Sequence, residues 1–257
     1  MKDKVLKAEH LSKRFGGVKA VKDFCFELEA GQIVAVIGPN GAGKTTIFNL
    51  LSKIYQPDTG TILFGGEDIT GKPQIEVARM GISRTFQNTR LFSGLNVLDN
   101  VKAALDFSGK CSMLETMLLL PRHRQHEKET TRKAMECLSL LNLADYAGNR
   151  PGSLPYGIQR RVEIARALVA MPRVLMLDEP AAGLNPEEVF QLMDFIGEIR
   201  EKYPELAIMV IEHRMDLIMN LSDYIYVQDF GQTIAEGVPE VIQNNPLVLK
   251  AYLGEEV

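Results

Sequence analysis

The stretch Ile33-Val34-Ala35-Val36-Ile37-Gly38-Pro39-Asn40-Gly41-Ala42-Gly43-Lys44-Thr45-Thr46-Ile47-Phe48-Asn49-Leu50-Leu51 decides how this chain is read. Residues 33–37 are a short apolar run rich in β-branched side chains and read as a buried strand. Residues 47–51 have helical spacing. Between them stands G-x-x-x-x-G-K-T, and a strand, a glycine-rich loop and a helix in that order describe a P-loop. Those flanks argue against a chance glycine-rich turn. Gly38, Gly41 and Gly43 let the backbone curl tightly and approach a phosphate with no Cβ in the way. Pro39, Asn40 and Ala42 complete the loop. Its N–H groups and the positive helix end then face anionic oxygens. Lys44 reaches the β- and γ-phosphates, the Thr45 hydroxyl is placed to ligate Mg²⁺, and Thr46 can bond the α-phosphate.

The composition sets limits on partners. The chain has 257 residues, enough for one large α/β domain or a core with a smaller subdomain. Its formal net charge of −4, with no basic tail, argues against a nucleic-acid binder held by broad phosphate neutralisation. Cys25, Cys111 and Cys137 are widely spaced and form no C-x-x-C pair, so neither a zinc site nor a disulfide framework is indicated. A reducing cytosol fits this usage. Met1-Lys2-Asp3-Lys4 does not open into an apolar leader, and no run reaches the roughly 18–20 apolar residues that span a bilayer. Any membrane role is therefore expected to come through a partner.

Around the loop the pattern changes character. Residues 5–11 and 21–29 alternate apolar and polar, as antiparallel strands with one face on a core do. The turn between them carries Phe15 and Val18. Residues 61–64 return as a strand, 73–80 look helical, and 82–86 look like another strand ending at Gln87. From about 90 to 170 the strand signal disappears. Residues 96–105, 113–120 and 128–141 have helical spacing and predict an α-helical insertion. The charge run 121–129 reads as a solvated helix start or exposed loop, and its His123 and His126 do not make a metal site. Beyond it, 174–179 is a buried strand ending in Asp178-Glu179. A helix follows over 186–203, with Asn185 as N-cap and Pro186 at its first position. Residues 207–211 form another buried strand, ending at Glu212-His213. A hairpin at 222–235 and two short helices, 239–243 and 246–253, close the chain.

Parallel α/β sheets place ligands at the carboxyl ends of their strands. Asp178 at such an end is a candidate Mg²⁺ ligand. Glu179, one residue on, is a candidate to orient or deprotonate an attacking water, because two adjacent carboxylates beside a metal divide those roles. His213 ends the next strand and could bond the γ-phosphate or Glu179. Gln87 is similarly placed for Mg²⁺ and the water. Phe15 is either an adenine-stacking ring or a core staple.

These parts, in this order over essentially the whole chain, resemble the ATP-binding cassette (ABC) ATPases. The resemblance makes Phe15 the aromatic A-loop, with Val18 beside it at the nucleobase, and residues 38–46 the Walker A loop. Gln87 becomes the Q-loop, 154–159 the signature, 174–179 Walker B, 182–185 the D-loop and His213 the H-loop. It implies a single cassette domain over 1–257, a P-loop NTPase fold. Its parts are a mixed sheet, an antiparallel β subdomain and an α-helical subdomain inserted at about 90–170. It implies ATP and Mg²⁺ as ligands. It also implies a dimer in which each ATP lies between one subunit's Walker A and the other's signature.

Residues 80–92, 154–157, 178–186 and the ending 245–254 are further similar to one ATPase subunit of the bacterial branched-chain amino-acid importers. That likeness implies several partners: a second, different ATPase subunit, two membrane permeases and, indirectly, a periplasmic binding protein. It places the chain at the cytoplasmic face of the membrane. The segment 108–127 suits the subfamily too, as a permease contact or as a passive surface insertion.

One part departs from the family pattern. The usual L-S-G-G-Q signature reads Leu154-Pro155-Tyr156-Gly157-Ile158, followed by Gln159, so the serine that bonds the partner's γ-phosphate is absent. Such a charge-assisted bond contributes about 1.5–3 kcal/mol. Gly157 and the helix expected over 158–170 still offer backbone amides. The D-loop ends in Asn185 where Asp is common. Either the two composite sites of a heterodimer differ in strength, or Tyr156 and Ile158 merely repack the loop. Other classes remain as alternatives: the ATPase of another transporter such as a lipopolysaccharide exporter, or a soluble cassette ATPase. A P-loop kinase is disfavoured by the signature-like element and His213.

Overall fold

The computed structural model describes residues 3–87, 90–105 and 121–253. The helix expected at 113–120, Cys111, most of the 108–127 segment, and Asn88, Thr89 and Gly254 of the family motifs lie outside them. The described residues group into two compact units. One comprises 1–87, 173–183 and 200–257; the other comprises 88–172 and 184–199.

The first unit carries two sheets. Strands β1 (Lys4–Phe15) and β2 (Val18–Glu29) pair antiparallel, and β4 (Thr59–Phe64) pairs antiparallel with β1. With β5 (Glu67–Asp68) they make a four-stranded sheet in the order β2-β1-β4-β5. The second sheet has the order β10-β9-β3-β8-β7-β6. Its strands are β3 (Ile33–Ile37), β6 (Ile82–Arg84), β7 (Val174–Asp178), β8 (Ala207–Ile211), β9 (Tyr224–Asp229) and β10 (Gln232–Gly237). Only the β9–β10 hairpin is antiparallel; β9-β3-β8-β7-β6 all run parallel. Every residue of β3, β7 and β8 is buried. That is why these three segments read as continuous apolar runs rather than alternating ones.

Helix α1 (Lys44–Leu51) follows β3 and buries Ile47, Phe48, Leu50 and Leu51. They join one core with Phe24, Phe26 and Leu28 of β2 and with Val34, Val36, Met176 and Met209 of the parallel strands. The first unit also holds α2 (Gln74–Met80), α7 (Met215–Leu221), α8 (Pro239–Gln243) and α9 (Pro246–Leu253). Helix α7 occupies a stretch for which the sequence pattern predicts no element.

The second unit is helical. It contains α3 (Val97–Lys102), α4 (Pro121–Leu140), α5 (Tyr156–Leu168) and most of α6 (Pro186–Lys202). Asn96 caps α3 by accepting the Asp99 N–H at 2.7 Å. Asn100, fully buried, accepts the Phe92 N–H and donates to the carbonyls of Phe92, Leu95 and Asn96. The charge run 121–129 lies inside α4, which starts seven residues before the apolar spacing that betrayed it at 128. Among the described residues, no helix is long and apolar enough to cross a membrane.

Candidate functional site

The loop after β3 is held open by its own backbone. Gly38 has φ 148° and Gly43 has φ 98°. A Cβ on Gly38 would sit 2.1 Å from the Gln228 carbonyl oxygen, and one on Gly43 would sit 2.4 Å from that of Ala20. Both positions therefore need glycine for space as well as for conformation. Gly231, in the β9–β10 turn, donates to the Ala42 carbonyl at 3.0 Å. Gly43 is the N-cap of α1, no side chain caps the helix, and its first turn has no acidic residue. Its first N–H groups and positive end are thus left for an anion.

Lys44 bridges the loop from within. Its Nζ donates to the carbonyls of Gly38 at 2.7 Å and Pro39 at 2.9 Å. Burial pushes its pKa down, opposed by the negative charge of Glu179. Thr45 is exposed and Thr46 half-buried on the first turn of α1. Phe15 ends β1 and Val18 opens β2, 43% and 68% exposed, so the ring is not buried as a core staple; Lys13 Nζ lies 5.8 Å from its centroid. Tyr55 meets Phe15 edge-on, with centroids 5.3 Å apart.

Asp178 ends β7, two strands from the loop, and Glu179 follows it directly. Asp178 is buried and its Oδ2 accepts Arg84 Nη2 at 2.7 Å. Glu179 has φ 45°, a left-handed conformation that strains a non-glycine residue. Its N–H donates to the Ile211 carbonyl at 2.9 Å, which ties it to the end of β8. Its Oε2 accepts Gln87 Nε2 at 2.8 Å. The strand before Gln87 ends at Arg84 rather than 86, and the last residues leave the sheet to reach Glu179.

His213 follows β8 with its side chain 53% exposed; its N–H donates to Glu212 Oε2 at 3.2 Å. Glu212 is a site residue that the sequence pattern does not single out. It is fully buried and also accepts the Ala181 N–H at 2.8 Å. Burial pushes its carboxyl above the usual range, opposed by those two amides. The only signal for it in the sequence was an acid directly after a buried strand, as at Asp178-Glu179.

Mg²⁺ can be tested against these donors. Thr45 and Asp178 offer the hard oxygens it prefers. Among the described residues no group of three or more His, Cys, Asp or Glu is arranged to hold a metal. The set therefore fits a cation that takes most of its ligands from phosphate and water, and does not fit a protein-enclosed metal.

The signature segment lies in the second unit. Pro155 is the N-cap of α5, which begins at Tyr156 and not at 158. Leu154 is buried, and its carbonyl accepts Gln159 Nε2 at 2.9 Å. The Arg160 guanidinium lies 5.4 Å from the Tyr156 ring centroid, and Ile158 is half-buried. The Gly157 N–H, expected to be free for a phosphate, donates to Glu188 Oε1 at 3.3 Å. Glu188 and Asn185 form a reciprocal capping box: Asn185 Oδ1 accepts the Glu188 N–H and Glu188 Oε2 accepts the Asn185 N–H. One carboxylate thus links the start of α5 to the start of α6.

A parallel sheet, a glycine loop opening a helix, and two acids at a nearby strand end define a P-loop protein. The comparisons narrow the class. A family model of ABC transporters matches residues 21–182, and one of branched-chain amino acid ATP-binding cassette transporters matches 232–257. The chain is 44% identical over 251 residues to the high-affinity branched-chain amino acid transport ATP-binding protein BraF of Pseudomonas aeruginosa, spanning 98% of both chains. It is 44% identical over 255 residues to the corresponding protein LivG of Escherichia coli K12, spanning 99% of this chain and 100% of that one. A crystal structure of the ADP conformation of an ATP-binding cassette of an ABC transporter superposes with a TM-score of 0.85. It is 32% identical, and the match covers 98% of this chain and 99% of that one. The chain belongs to the ABC transporter family.

Proposed function

We propose that this chain is the ATP-hydrolysing subunit of a membrane importer of branched-chain amino acids. Its two units work as one ATP-binding domain. It sits at the cytoplasmic face, bound to permease subunits and paired with a second ATPase subunit. A periplasmic binding protein feeds the complex without touching this chain.

The loop amides of 38–46 and Lys44 hold the β- and γ-phosphates, and Phe15 and Val18 receive the adenine. Thr45, Asp178 and Gln87 would hold Mg²⁺, which would supply positive charge to neutralise the phosphates. Glu179 takes up the proton of the attacking water. The water oxygen bonds to the γ-phosphorus, the bond from that phosphorus to the bridging oxygen breaks, and ADP and phosphate leave. Gln87 orients Glu179, and His213 contacts the γ-phosphate from the end of β8. The second subunit's signature completes the site. This chain returns Leu154–Gln159, without the serine, and with Glu188 already on the Gly157 amide. The site built on this chain's Walker motifs is therefore the stronger of the two.

The single observation that carries this reading is Glu179. It is held at φ 45°, bonded by Gln87 and placed directly after Asp178. The test is Glu179→Gln in the assembled transporter under single turnover. Loss of hydrolysis with ATP binding retained supports the assignment. Unchanged hydrolysis overturns it.

A further inference from the structure

We infer that Arg84 is a positioning residue for Mg²⁺-dependent ATP hydrolysis: it locks Asp178 to the Thr45 face of α1 and sets which carboxylate oxygen is offered. This rests on the nucleotide reading above. Arg84 Nη2 donates to Asp178 Oδ2 at 2.7 Å, and both side chains are at most 9% exposed. Its Nη1 donates to Asn49 Oδ1 at 2.6 Å and Ser52 Oγ at 2.9 Å. The guanidinium also lies 4.7 Å from the Phe48 ring centroid and 5.3 Å from that of Phe86.

The spacing of these partners gives the contact its meaning. Phe48, Asn49 and Ser52 are three, four and seven residues after Thr45, so Phe48 and Asn49 share its face of α1 and Ser52, the C-cap, continues it. Arg84 therefore reads the turns directly below the Thr45 hydroxyl with one end of its fork and holds Asp178 with the other. Asp178 Oδ1 has no hydrogen bond among the described residues, so Oδ2 is committed and Oδ1 is the oxygen left for the metal's shell. A second tie runs parallel to the first. Arg84 and Gln87, three residues apart, bond the adjacent acids Asp178 and Glu179. The Thr85 hydroxyl accepts the Asp178 N–H at 3.3 Å between them.

A merely stabilising role fits less well. A buried ion pair is often no better for stability than apolar residues of the same volume. Arg84 Nε is moreover buried with no partner. The structure keeps a costly group where an apolar one would pack, at the acid whose orientation matters. Partners that orient metal ligands typically change metal affinity or activity 10- to 100-fold when removed.

The test uses the purified full chain and three variants, Arg84→Met, Arg84→Lys and Asn49→Ala. ATP binding by the chain is measured in EDTA, then Mg²⁺ is titrated while binding by the chain and hydrolysis by its complex with the second ATPase subunit are followed. Positioning predicts EDTA binding within about twofold of wild type for every variant. The half-saturating Mg²⁺ rises about tenfold in Arg84→Met and by less in Asn49→Ala, and turnover falls more than KM changes. Arg84→Lys, which keeps the charge but not the fork, falls with Arg84→Met. An unchanged Mg²⁺ dependence in a folded Arg84→Met overturns the inference, as does an equal loss in EDTA and Mg²⁺. If Arg84→Met does not fold, Asn49→Ala decides on the same criterion. Absence of ATP binding to the wild-type chain would instead overturn the nucleotide reading itself.

Discussion

Gln87 Nε2 donates to Glu179 Oε2 at 2.8 Å, so the end of one strand holds the carboxylate at the end of its neighbour. Nothing covalent fixes that side chain, and its backbone is already strained at φ 45°. Removing the amide should release it. Gln87→Ala is expected to lower hydrolysis about tenfold while leaving ATP binding intact. Glu179→Gln should lower it by roughly 10²- to 10⁴-fold, the usual contribution of a positioned general base. Rapid-quench single turnover checks both. Equal losses in the two variants would mean that Gln87 acts on more than orientation.

The loop glycines are not equivalent. Gly38→Ala would push a Cβ to 2.1 Å from the Gln228 carbonyl oxygen, whereas a Cβ on Gly41 meets nothing within 4 Å. Gly41→Ala, at φ 82°, should therefore show only the backbone strain of about 1–2 kcal/mol. Gly38→Ala should lose about 3 kcal/mol or more and bind no ATP. Chemical denaturation with parallel nucleotide titration separates the two.

Much of this was legible in the residues. The strands at 33–37, 174–178 and 207–211 announce themselves because a sheet buried on both faces tolerates no polar alternation. The loop was legible because glycine, lysine and threonine at that spacing serve one chemistry. Contacts between distant residues were not. Arg84 looks like any polar strand residue until its fork is seen on Asp178, Asn49 and Ser52. Glu188 looks like a surface acid in a helix's first turn until its carboxylate is found on Gly157. Helix α4 was expected late because its opening turns are charged and carry no apolar stripe. Helix α7 is not legible because its N-cap, Arg214, offers no side-chain cap that would mark a helix start.

Glu188 makes a testable case of the altered signature. Its carboxylate occupies the Gly157 amide at 3.3 Å, at the start of α5 where a phosphate would be received. Glu188→Ala removes that charge and opens the amide. ATP-dependent association with the second ATPase subunit should tighten roughly two- to fivefold, the scale of a charge at a helix N-terminus. Loss of the capping box should lower thermal stability slightly, by about 0.5–2 kcal/mol. Light scattering of the ATP-bound pair checks the first effect and a melting curve the second. Weaker association would show that Glu188 itself serves the interface.

Glu212 gives the fold a pH signature. Burial raises its carboxyl pKa above the ordinary 4.5. The folded chain thus holds that proton more tightly than the unfolded chain. The stability it contributes is full below about pH 4.5 and is lost as pH rises through the raised value. Glu212→Gln, which cannot ionise, should lack this slope. The wild-type chain should therefore compare best with the variant below about pH 4.5 and progressively worse as pH rises through the raised value, by urea denaturation. A difference independent of pH would contradict the raised value.

The central claim is that the acids at the end of β7 convert ATP into transport. The direct measurement is uptake of radiolabelled leucine by proteoliposomes holding the permeases, both ATPase subunits and the binding protein, with ATP hydrolysis followed in the same vesicles. The account predicts uptake and leucine-stimulated hydrolysis with the wild-type chain, and loss of both with Glu179→Gln although ATP still binds. Full uptake with Glu179→Gln would contradict it.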